Sequence, residues 1–302
     1  MRYSYYLLIT GFLLFIACKS KSDFPAELVQ FTSYPQNPVF KGTASPSDWD
    51  EIIRERGYIL KEDDTYHLWY TGYKDTTGAV MSLGYATSPD GLIWTRYAGN
   101  PIYDSLHTED MMIIKVDDTY QMFAEGNGDI AHRLVSTNRI HWQDLGSLDI
   151  RLVSGDPISA GPYGTPSVIK EGSTWYLFYE RNDDAIWLAS SKDLQVWTNV
   201  QDEPILLKGP ESYDRFGVAM NQVIKYHDKY YGYYHGTPDQ DWSTWNTNVA
   251  VSEDLIHWTK YSQNPILQEN KSSGILVHDG TQYRMYTMHP EVCVHFFKDG
   301  VR

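Results

Sequence analysis

The amino-acid sequence predicts an all-β protein in which five similar units, each a four-stranded antiparallel sheet, close into a ring. Aromatic residues make up 15% of the 302 residues, and such loading favours short β-strands over helices. A basic residue that ends a short apolar strand also recurs every 53 to 55 residues, at Lys61, Lys115, Lys170, Lys225 and His278. A repeat of this length and strand content is typical of a five-bladed β-propeller.

Each unit contains a hairpin. Four turn residues separate the basic residue from an aromatic strand, as in the run from Lys61 to Tyr66. The turns carry Asp or Gly, for example Asp63, Asp117 and Gly172, which suit the tight turns of hairpins. We therefore expect the first two strands of every unit to pair directly.

Four units share a second landmark, in which Ser, any residue and Asp or Asn are followed by Trp, at 88–94, 136–142, 191–197 and 252–258. The Asp or Asn side chain can bond its own backbone in a tight turn, and the Trp begins the outer strand. The fifth unit lacks this landmark. We expect segment 28–31 to supply its outer strand, which would close the ring without exposed edges and make residues 24–302 one domain.

The first residues precede the fold. Residues 1–17 contain Arg2 and an apolar run that is too short to span a membrane, which indicates a secretory signal peptide. Cys18 follows the small residue Ala17, and this pattern resembles the lipobox of bacterial lipoproteins, whose Cys is acylated. The resemblance implies a lipid anchor at Cys18 on the bacterial cell envelope, at the outer membrane or in the periplasm, with 18–23 as a tether. The alternative is an ordinary signal peptide with an incidental Cys18, and with Cys18 acylated Cys293 is left without a disulfide partner.

The charge of the chain excludes one class of partner. The formal net charge at pH 7 is −14, from 39 acidic and 25 basic residues. Nucleic acids and anionic membrane surfaces bind basic faces, so we expect neither as a partner, and a membrane association only through the N-terminal lipid.

The predicted fold indicates where functional side chains gather. In a propeller the starts of the first strands and the ends of the second strands meet at one mouth of the central channel. Arg56 and Asp110 stand five residues before their basic landmarks, and Glu55 and Glu109 stand six before them. The candidates at this mouth are Arg54, Glu55, Arg56, Asp110, Glu125, Glu180, Arg181, His235 and His289. Crowded carboxyl groups there should have raised pKa values.

These residues carry a family resemblance. The pattern of an acidic residue, a small residue or Pro, any residue, two Ile, a basic residue, four turn residues and Tyr resembles the first blade strand of the five-bladed glycoside hydrolase families 43, 32, 62, 117 and 130. Asp110 and Glu55 match the offsets of the catalytic Asp and the acidic Glu of family 43, and the pair Glu109 and Asp110 resembles that of family 130. Met111 replaces a family Pro, and Ala219 stands where family 43 has an acid.

The resemblance implies paired-carboxylate glycoside hydrolysis, and we expect an exo-acting enzyme on plant or algal oligosaccharides. Asp110 is the expected catalytic carboxylate, with Glu55 or Glu180 as its partner and a third acidic group that tunes the acid's pKa. The expected substrate-binding residues are Trp49, Asp50, Arg54, Arg56, Glu125, Tyr163, Asp214, His235 and His289. Within that set Trp49 and Tyr163 would stack on sugar rings. Asp50 and Asp214 lie eleven residues before their basic landmarks, and they either pin a loop or take part in catalysis.

No ligand spacing in the sequence requires a metal or another cofactor, although some related propellers hold a structural calcium ion in the channel. Two other functions stay open. A glycan-binding propeller without catalysis would need aromatic and amide side chains at the mouth but no carboxyl cluster. A glycoside phosphorylase would need a basic phosphate pocket, for which Arg54, Arg56 and Arg181 are the candidates.

Overall fold

Five antiparallel sheets follow one another along the chain in the computed structural model, which describes residues 23–76 and 78–298. The predicted all-β, five-bladed propeller is confirmed, and the first strands of neighbouring blades contact one another around the axis. The signal peptide 1–17, Cys18 and residues 19–22 of the tether lie outside the described residues. Within the described part of the chain, no helix is long and apolar enough to cross a membrane.

The blades are defined by their strands. Blade one consists of Ile52–Glu62, Thr65–Tyr73, Ser82–Ser88 and Thr95–Arg96. Blade two consists of Glu109–Val116, Thr119–Gly126, Ile130–Ser136 and Gln143–Ser147. Blade three consists of Gly164–Glu171, Thr174–Arg181, Ala185–Ser191 and Val196–Asn199. Blade four consists of Gly217–Tyr226, Lys229–Thr237, Asn246–Ser252 and Trp258–Lys260, and blade five of Ile275–His278, Tyr283–Thr287, Cys293–Phe297 and Phe31–Ser33.

Blade three departs from the predicted four strands. Asp149–Arg151 pairs in parallel with its outer strand, Val196–Asn199, and Leu206–Leu207 pairs with Ala185–Ser191. Both additions come from the segments that connect blade three to its neighbours, so the connections extend the sheet.

The ring closes in blade five, as predicted, but with a shifted strand. Phe31–Ser33 pairs antiparallel with Cys293–Phe297, so both ends of the chain share one sheet. Leu28 and Val29 were expected in that strand, but they lie in a short helix, Ala26–Val29, and are buried. The sheet edge begins only after this helix.

The helix Ala26–Val29 provides the contact that a landmark Trp makes in the other blades. In blades one to three an aromatic residue of the second strand packs edge-on against the landmark Trp of the next blade, as in the pairs Trp69–Trp142, Phe123–Trp197 and Phe178–Trp258. Each such pair contributes about 0.5–1.5 kcal/mol beyond its buried area. In blade four the equivalent Tyr233 donates its hydroxyl hydrogen to the carbonyl oxygen of Leu28 at 3.0 Å, because blade five has no landmark Trp.

The predicted turn chemistry is present. Asp90 Oδ1 accepts hydrogen bonds from the backbone N–H groups of Leu92 and Ile93, at 2.8 and 2.9 Å. Asp193 and Asp254 form the same bonds in blades three and four. These turns fix the start of each outer strand.

Candidate active site

Two of the acidic side chains at the mouth, those of Glu55 and Asp110, lie in β-bulges of the first strands. In blade two, Asp110 and Met111 lie between the paired positions Glu109 and Met112, and they oppose one residue of the second strand. Asp110 has φ +43°, a backbone conformation that L-residues adopt rarely. The bulge turns its side chain away from the regular alternation of the strand.

Blade one carries a longer bulge, and this corrects the alignment of the repeats. Three residues, Glu55, Arg56 and Gly57, lie between the paired positions Arg54 and Tyr58. Glu55 also has positive φ, +61°. Glu55 is therefore the structural equivalent of Asp110, whereas counting from the basic landmark had placed Arg56 at that position.

The inserted Arg56 lies on the axis and is completely buried. Its guanidinium donates to the carbonyl oxygens of Met220 and Asn221, both at 2.9 Å, of Pro166 at 2.7 Å, and of Asp110. One side chain of blade one thus holds the bulges of blades two, three and four. Arg56 was expected to bind substrate, but its position behind Asp110 gives it a structural role.

The bulges surround a cavity of about 480 Å³ at the mouth. Seven predicted site residues line it together: Arg54, Glu55, Asp110, Glu125, Glu180, His235 and His289. The other lining residues are Glu109, Asp129, Pro162, Thr165, Asn182, Asp183, Asp241, Trp242, Trp245, Ser272 and Ser273. Eight of the lining residues are acidic, which makes the cavity strongly anionic when they are ionised.

Glu55 and Asp110 have pKa values shifted in opposite directions. Burial raises the pKa of Asp110 to about 8, and the charge of Glu55 adds to the effect against the opposing charge of Arg56. Burial also opposes ionisation of Glu55, but its hydrogen bond to His289 and the positive charge of Arg54 outweigh it and lower the Glu55 pKa. At neutral pH the cavity therefore holds a protonated Asp110 and an ionised Glu55.

A second carboxyl pair flanks the backbone of blade three. Glu180 Oε1 accepts a hydrogen bond from Gly164 N at 3.0 Å, and Glu125 Oε2 accepts one from Thr165 N at 2.7 Å. A Cβ atom on Gly164 would lie 2.1 Å from Glu125 Oε2 and 2.8 Å from Glu180 Oε1, so only glycine fits between the two carboxyl groups. Burial raises the pKa of Glu180 to about 7 and that of Glu125 well above its usual value.

Three lining carboxyl groups were not predicted, those of Asp129, Asp183 and Asp241. Asp129 and Asp183 lie in the turns between the second and third strands of blades two and three. Glu180 Oε2 accepts a hydrogen bond from Asp183 N at 2.6 Å, and burial together with the charge of Glu180 raises the Asp183 pKa well above its usual value. The sequence signal was available, because these turns open at the same mouth as the ends of the second strands.

Blade four contributes aromatic side chains. His235 lies near the end of its second strand, and burial lowers its pKa to about 3, which keeps the imidazole neutral. Its Nδ1 is buried and has no hydrogen-bond partner among the described residues. The His235 ring packs edge-on against Trp245 at 4.9 Å, and Trp245 lies 6.2 Å from the exposed Trp242. Both tryptophans belong to a loop that sequence reasoning did not assign to the site.

Asp50 and Asp214 do not line the cavity, although both were expected as substrate-binding residues. Asp50 Oδ2 accepts hydrogen bonds from the Tyr70 hydroxyl at 2.9 Å and from Arg96 Nε at 2.8 Å. Asp214 Oδ2 accepts the equivalent bonds from Tyr234, at 3.2 Å, and from Lys260 Nζ, at 2.6 Å. The two Asp side chains thus have the same role, which is to pin the loop before the first strand to its own blade.

Three other candidates also lie away from the cavity. The indole of Trp49 stacks on Tyr70 with ring centroids 5.7 Å apart, and the Tyr163 hydroxyl donates to the Leu148 carbonyl oxygen at 3.1 Å. Arg181 donates to backbone carbonyl oxygens of the loop at 159–162. Trp49 and Tyr163 are half-buried and do not line the cavity, and the Arg181 guanidinium is held by that loop.

Among the described residues, no group of three or more His, Cys, Asp or Glu side chains is arranged to hold a metal ion. The structural calcium ion stays an expectation.

The comparison with known sequences includes a carbohydrate-active relative. No family model matches the chain. The chain is 25% identical over 258 residues to the 1,2-beta-oligomannan phosphorylase of Thermoanaerobacter sp. (strain X514), a match that covers 80% of this chain and 83% of the relative.

Solved structures share the fold. A glycosyl hydrolase from Bacteroides ovatus superposes with a TM-score of 0.72 at 15% identity, over 90% of this chain and 94% of that one. The beta-1,2-mannobiose phosphorylase from Listeria innocua, in complex with beta-1,2-mannobiose, superposes with a TM-score of 0.65 at 15% identity, over 88% and 95%. A structure from glycoside hydrolase family 130 superposes with a TM-score of 0.68 at 15% identity, over 88% of this chain and 92% of that one. The mannoside phosphorylases of that family include hydrolases that target beta-1,2 mannosidic linkages in Candida mannan. The fold is therefore that of five-bladed glycoside hydrolases and phosphorylases.

Proposed function

We propose that this protein is a carbohydrate-active enzyme that hydrolyses β-1,2-linked manno-oligosaccharides, with Asp110 as the general acid and Glu55 as its partner carboxylate. The observation that carries the proposal is the pair itself: Glu55 and Asp110 occupy equivalent bulges of adjacent blades, line one cavity and have oppositely shifted pKa values. One protonated and one ionised carboxyl group are what glycoside hydrolysis requires.

The reaction assigns one proton transfer to each carboxyl group. Asp110 donates its proton to the glycosidic oxygen, and the bond from that oxygen to the anomeric carbon breaks. Water attacks the anomeric carbon, and Glu55 accepts the proton that the water loses. Asp110 ends as a carboxylate and Glu55 as a carboxylic acid, and exchange with solvent restores both for the next turnover.

The choice of sugar is supported by the relatives. The sequence relative acts on 1,2-beta-oligomannan, and one of the structural neighbours was solved with beta-1,2-mannobiose. β-1,2-Linked mannosides are a more specific substrate class than the plant or algal oligosaccharides expected from the sequence. Neutral mannosides also suit this cavity, because those of its eight acidic residues that are ionised would repel an anionic substrate.

Phosphorolysis is the second candidate, and the identity to a phosphorylase favours it. A phosphate dianion needs cationic or N–H donors, preferably arginine. Among the described cavity-lining residues Arg54 is the single arginine or lysine, and it is paired with Glu55. Arg56 and Arg181 are both engaged with backbone carbonyl oxygens. The charge balance of the cavity thus favours water over phosphate as the attacking group.

One experiment separates the candidates. The purified protein is incubated with β-1,2-mannotriose with and without inorganic phosphate, and the products are resolved by anion-exchange chromatography. We expect mannose to appear at the same rate in both samples. Mannose 1-phosphate formed only in the presence of phosphate would establish the second candidate, and Arg54→Gln should then weaken the dependence on phosphate.

A glycan-binding function without catalysis would give neither product. In that case the oligosaccharide would still bind, and Asp110→Asn would leave the affinity unchanged. Cleavage by the wild-type protein that Asp110→Asn abolishes excludes this alternative.

The location in the cell is a separate proposal, which rests on the lipobox-like residues before the fold. We propose that Cys18 carries lipid and holds the enzyme on the cell envelope. Replacing Cys18→Ala should release folded protein from the membrane fraction of the native host, because the lipid would be the membrane anchor. Retention of the variant in that fraction would contradict the proposal.

A further inference from the structure

A second cavity, of about 370 Å³, lies beside the main one. Its walls come from the loop between the second and third strands of blade four and from the segments that lead into the first strands of blades four and five. All three segments lie at the end of the ring where the main cavity opens. Trp245 lines both cavities, so the two adjoin at its side chain.

The second cavity differs from the first in its chemistry. Its described lining residues include the aromatic rings of Tyr213 and Trp245 and the amides of Asn246, Gln268 and Asn270. Glu269 is the single charged residue among them, whereas the main cavity has eight acidic residues. Aromatic faces combined with amides bind neutral sugar rings, and groups for acid–base chemistry are not concentrated here.

The ring between the cavities is fixed in place. Trp245 donates its backbone N–H to Asn270 Oδ1 at 3.0 Å, and its indole packs on His235. Asn246 Nδ2 donates to the Tyr213 carbonyl oxygen at 2.8 Å, which ties the two walls of the second cavity together. A fixed indole that lines two neighbouring cavities gives one oligosaccharide chain a surface along which to extend from the main site into the second cavity.

We propose that the second cavity binds further sugar residues of the same oligosaccharide whose bond is cleaved beside Asp110. The chain passes along Trp245, and the enzyme therefore prefers substrates longer than a disaccharide. The identity of the sugar rests on the proposed function, but the length preference follows from the two neighbouring cavities that share Trp245.

The test uses Gln268, which lines only the second cavity and is exposed. Gln268→Trp fills the cavity with a bulky ring, and Gln268→Ala removes the amide. Gln143→Trp makes the same change at an exposed position of the outer strand of blade two, outside both cavities, and serves as the control. kcat/KM is measured for β-1,2-linked mannose chains of increasing length, beginning with the disaccharide.

We expect the wild-type kcat/KM to rise about tenfold from the disaccharide to the tetrasaccharide, which corresponds to about 1.4 kcal/mol of additional binding. Gln268→Trp should abolish this gain, Gln268→Ala should reduce it, and Gln143→Trp should preserve it. Rates on the disaccharide should stay within about twofold in all variants. Equal rates on short and long chains in the wild type, or a gain that survives Gln268→Trp, would overturn the inference.

Titration calorimetry distinguishes this failure from a failure of the proposed function. If the wild-type protein cleaves none of these chains, its affinity is measured for neutral oligosaccharides of two to five units, including glucans, xylans and galactans. Affinity that increases with length and is lost in Gln268→Trp supports the second cavity without the proposed reaction. Absence of binding, or affinity independent of length, overturns it.

Discussion

Arg56 donates its backbone N–H to Asp110 Oδ1 at 3.2 Å, and its guanidinium binds the carbonyl oxygen of the same Asp110. The residue that holds four blades together is therefore the residue that orients the proposed acid. The positive charge of Arg56 lowers the Asp110 pKa, but burial and the charge of Glu55 raise it by more. The contact between Arg56 and Asp110 therefore contributes both to the stability of the fold and to the orientation of the proposed acid.

The carboxyl cluster should make the protein less stable as the pH rises from about 6.5 to 8. Asp110, Glu125, Glu180 and Asp183 have raised pKa values in the folded protein, so it binds more protons than the unfolded chain. Below its folded-state pKa each such group lowers the free energy of unfolding by at most about 1.4 kcal/mol per pH unit, so Glu180 contributes only up to about pH 7. Below this window His235 has the opposite effect on the free energy of unfolding. Its pKa is lowered in the folded protein, so it gains a proton on unfolding.

Glu125→Gln tests this dependence by denaturant unfolding at several pH values. The amide keeps an acceptor for Thr165 N and removes one group with a raised pKa, so the variant should be more stable than the wild type at pH 8. Glu203→Gln, at an exposed position, should leave the slope unchanged. A wild-type stability that is flat or rises with pH in this window would show that the carboxyl groups are ionised in the folded protein.

Glu109→Gln should shift the pH profile of catalysis. The charge of Glu109 contributes to the raised pKa of Asp110, so its removal should lower that pKa. Because the acid must be protonated, kcat/KM falls as the pH rises through the Asp110 pKa, and this alkaline limb should move to lower pH by about half a unit to one unit. Glu211→Gln, at an exposed position outside the cavity, should not move it. An unchanged limb in Glu109→Gln would mean that another group titrates there.

Arg56→Met should destabilise the fold strongly. The substitution keeps an unbranched side chain, although a shorter one, and leaves buried carbonyl oxygens of three blades without their donor, at a cost of at least about 3 kcal/mol. Arg54→Met removes an arginine whose side chain is 49% exposed and should cost less than about 1 kcal/mol. Both values are measured by denaturant unfolding, and equal stability of the two variants would refute the role assigned to Arg56.

The ring could be predicted because the repeated strands give the amino-acid sequence a regular period. Lys61 and its four equivalents fixed the number of blades, and the landmark turns fixed their outer strands. The helix at Leu28 was not predicted, because two apolar residues before a strand have no periodicity of their own. It forms where the fifth blade lacks a landmark Trp, which is a property of the closed ring.

The candidate site was predicted in part for a related reason. Asp110, Glu55 and Glu180 lie on strands, and their positions follow from strand pairing. The extra residue in the bulge of blade one hid the equivalence of Glu55 and Asp110. Asp183 and Trp245 lie in turns, where the direction of a side chain is set by local backbone conformation rather than by alternation.

Asp110→Asn tests the central claim most directly, with turnover and thermal unfolding measured on the same preparation. Asn keeps the size of the side chain and an acceptor for Arg56 N, but it has no proton to donate to the glycosidic oxygen. Turnover of β-1,2-mannotriose should fall by a factor on the order of 10²–10⁴, with the affinity for the sugar retained and the folded state at least as stable at pH 8. Near-normal turnover in the folded variant, with or without a loss of stability, would contradict the assignment of Asp110 as the acid.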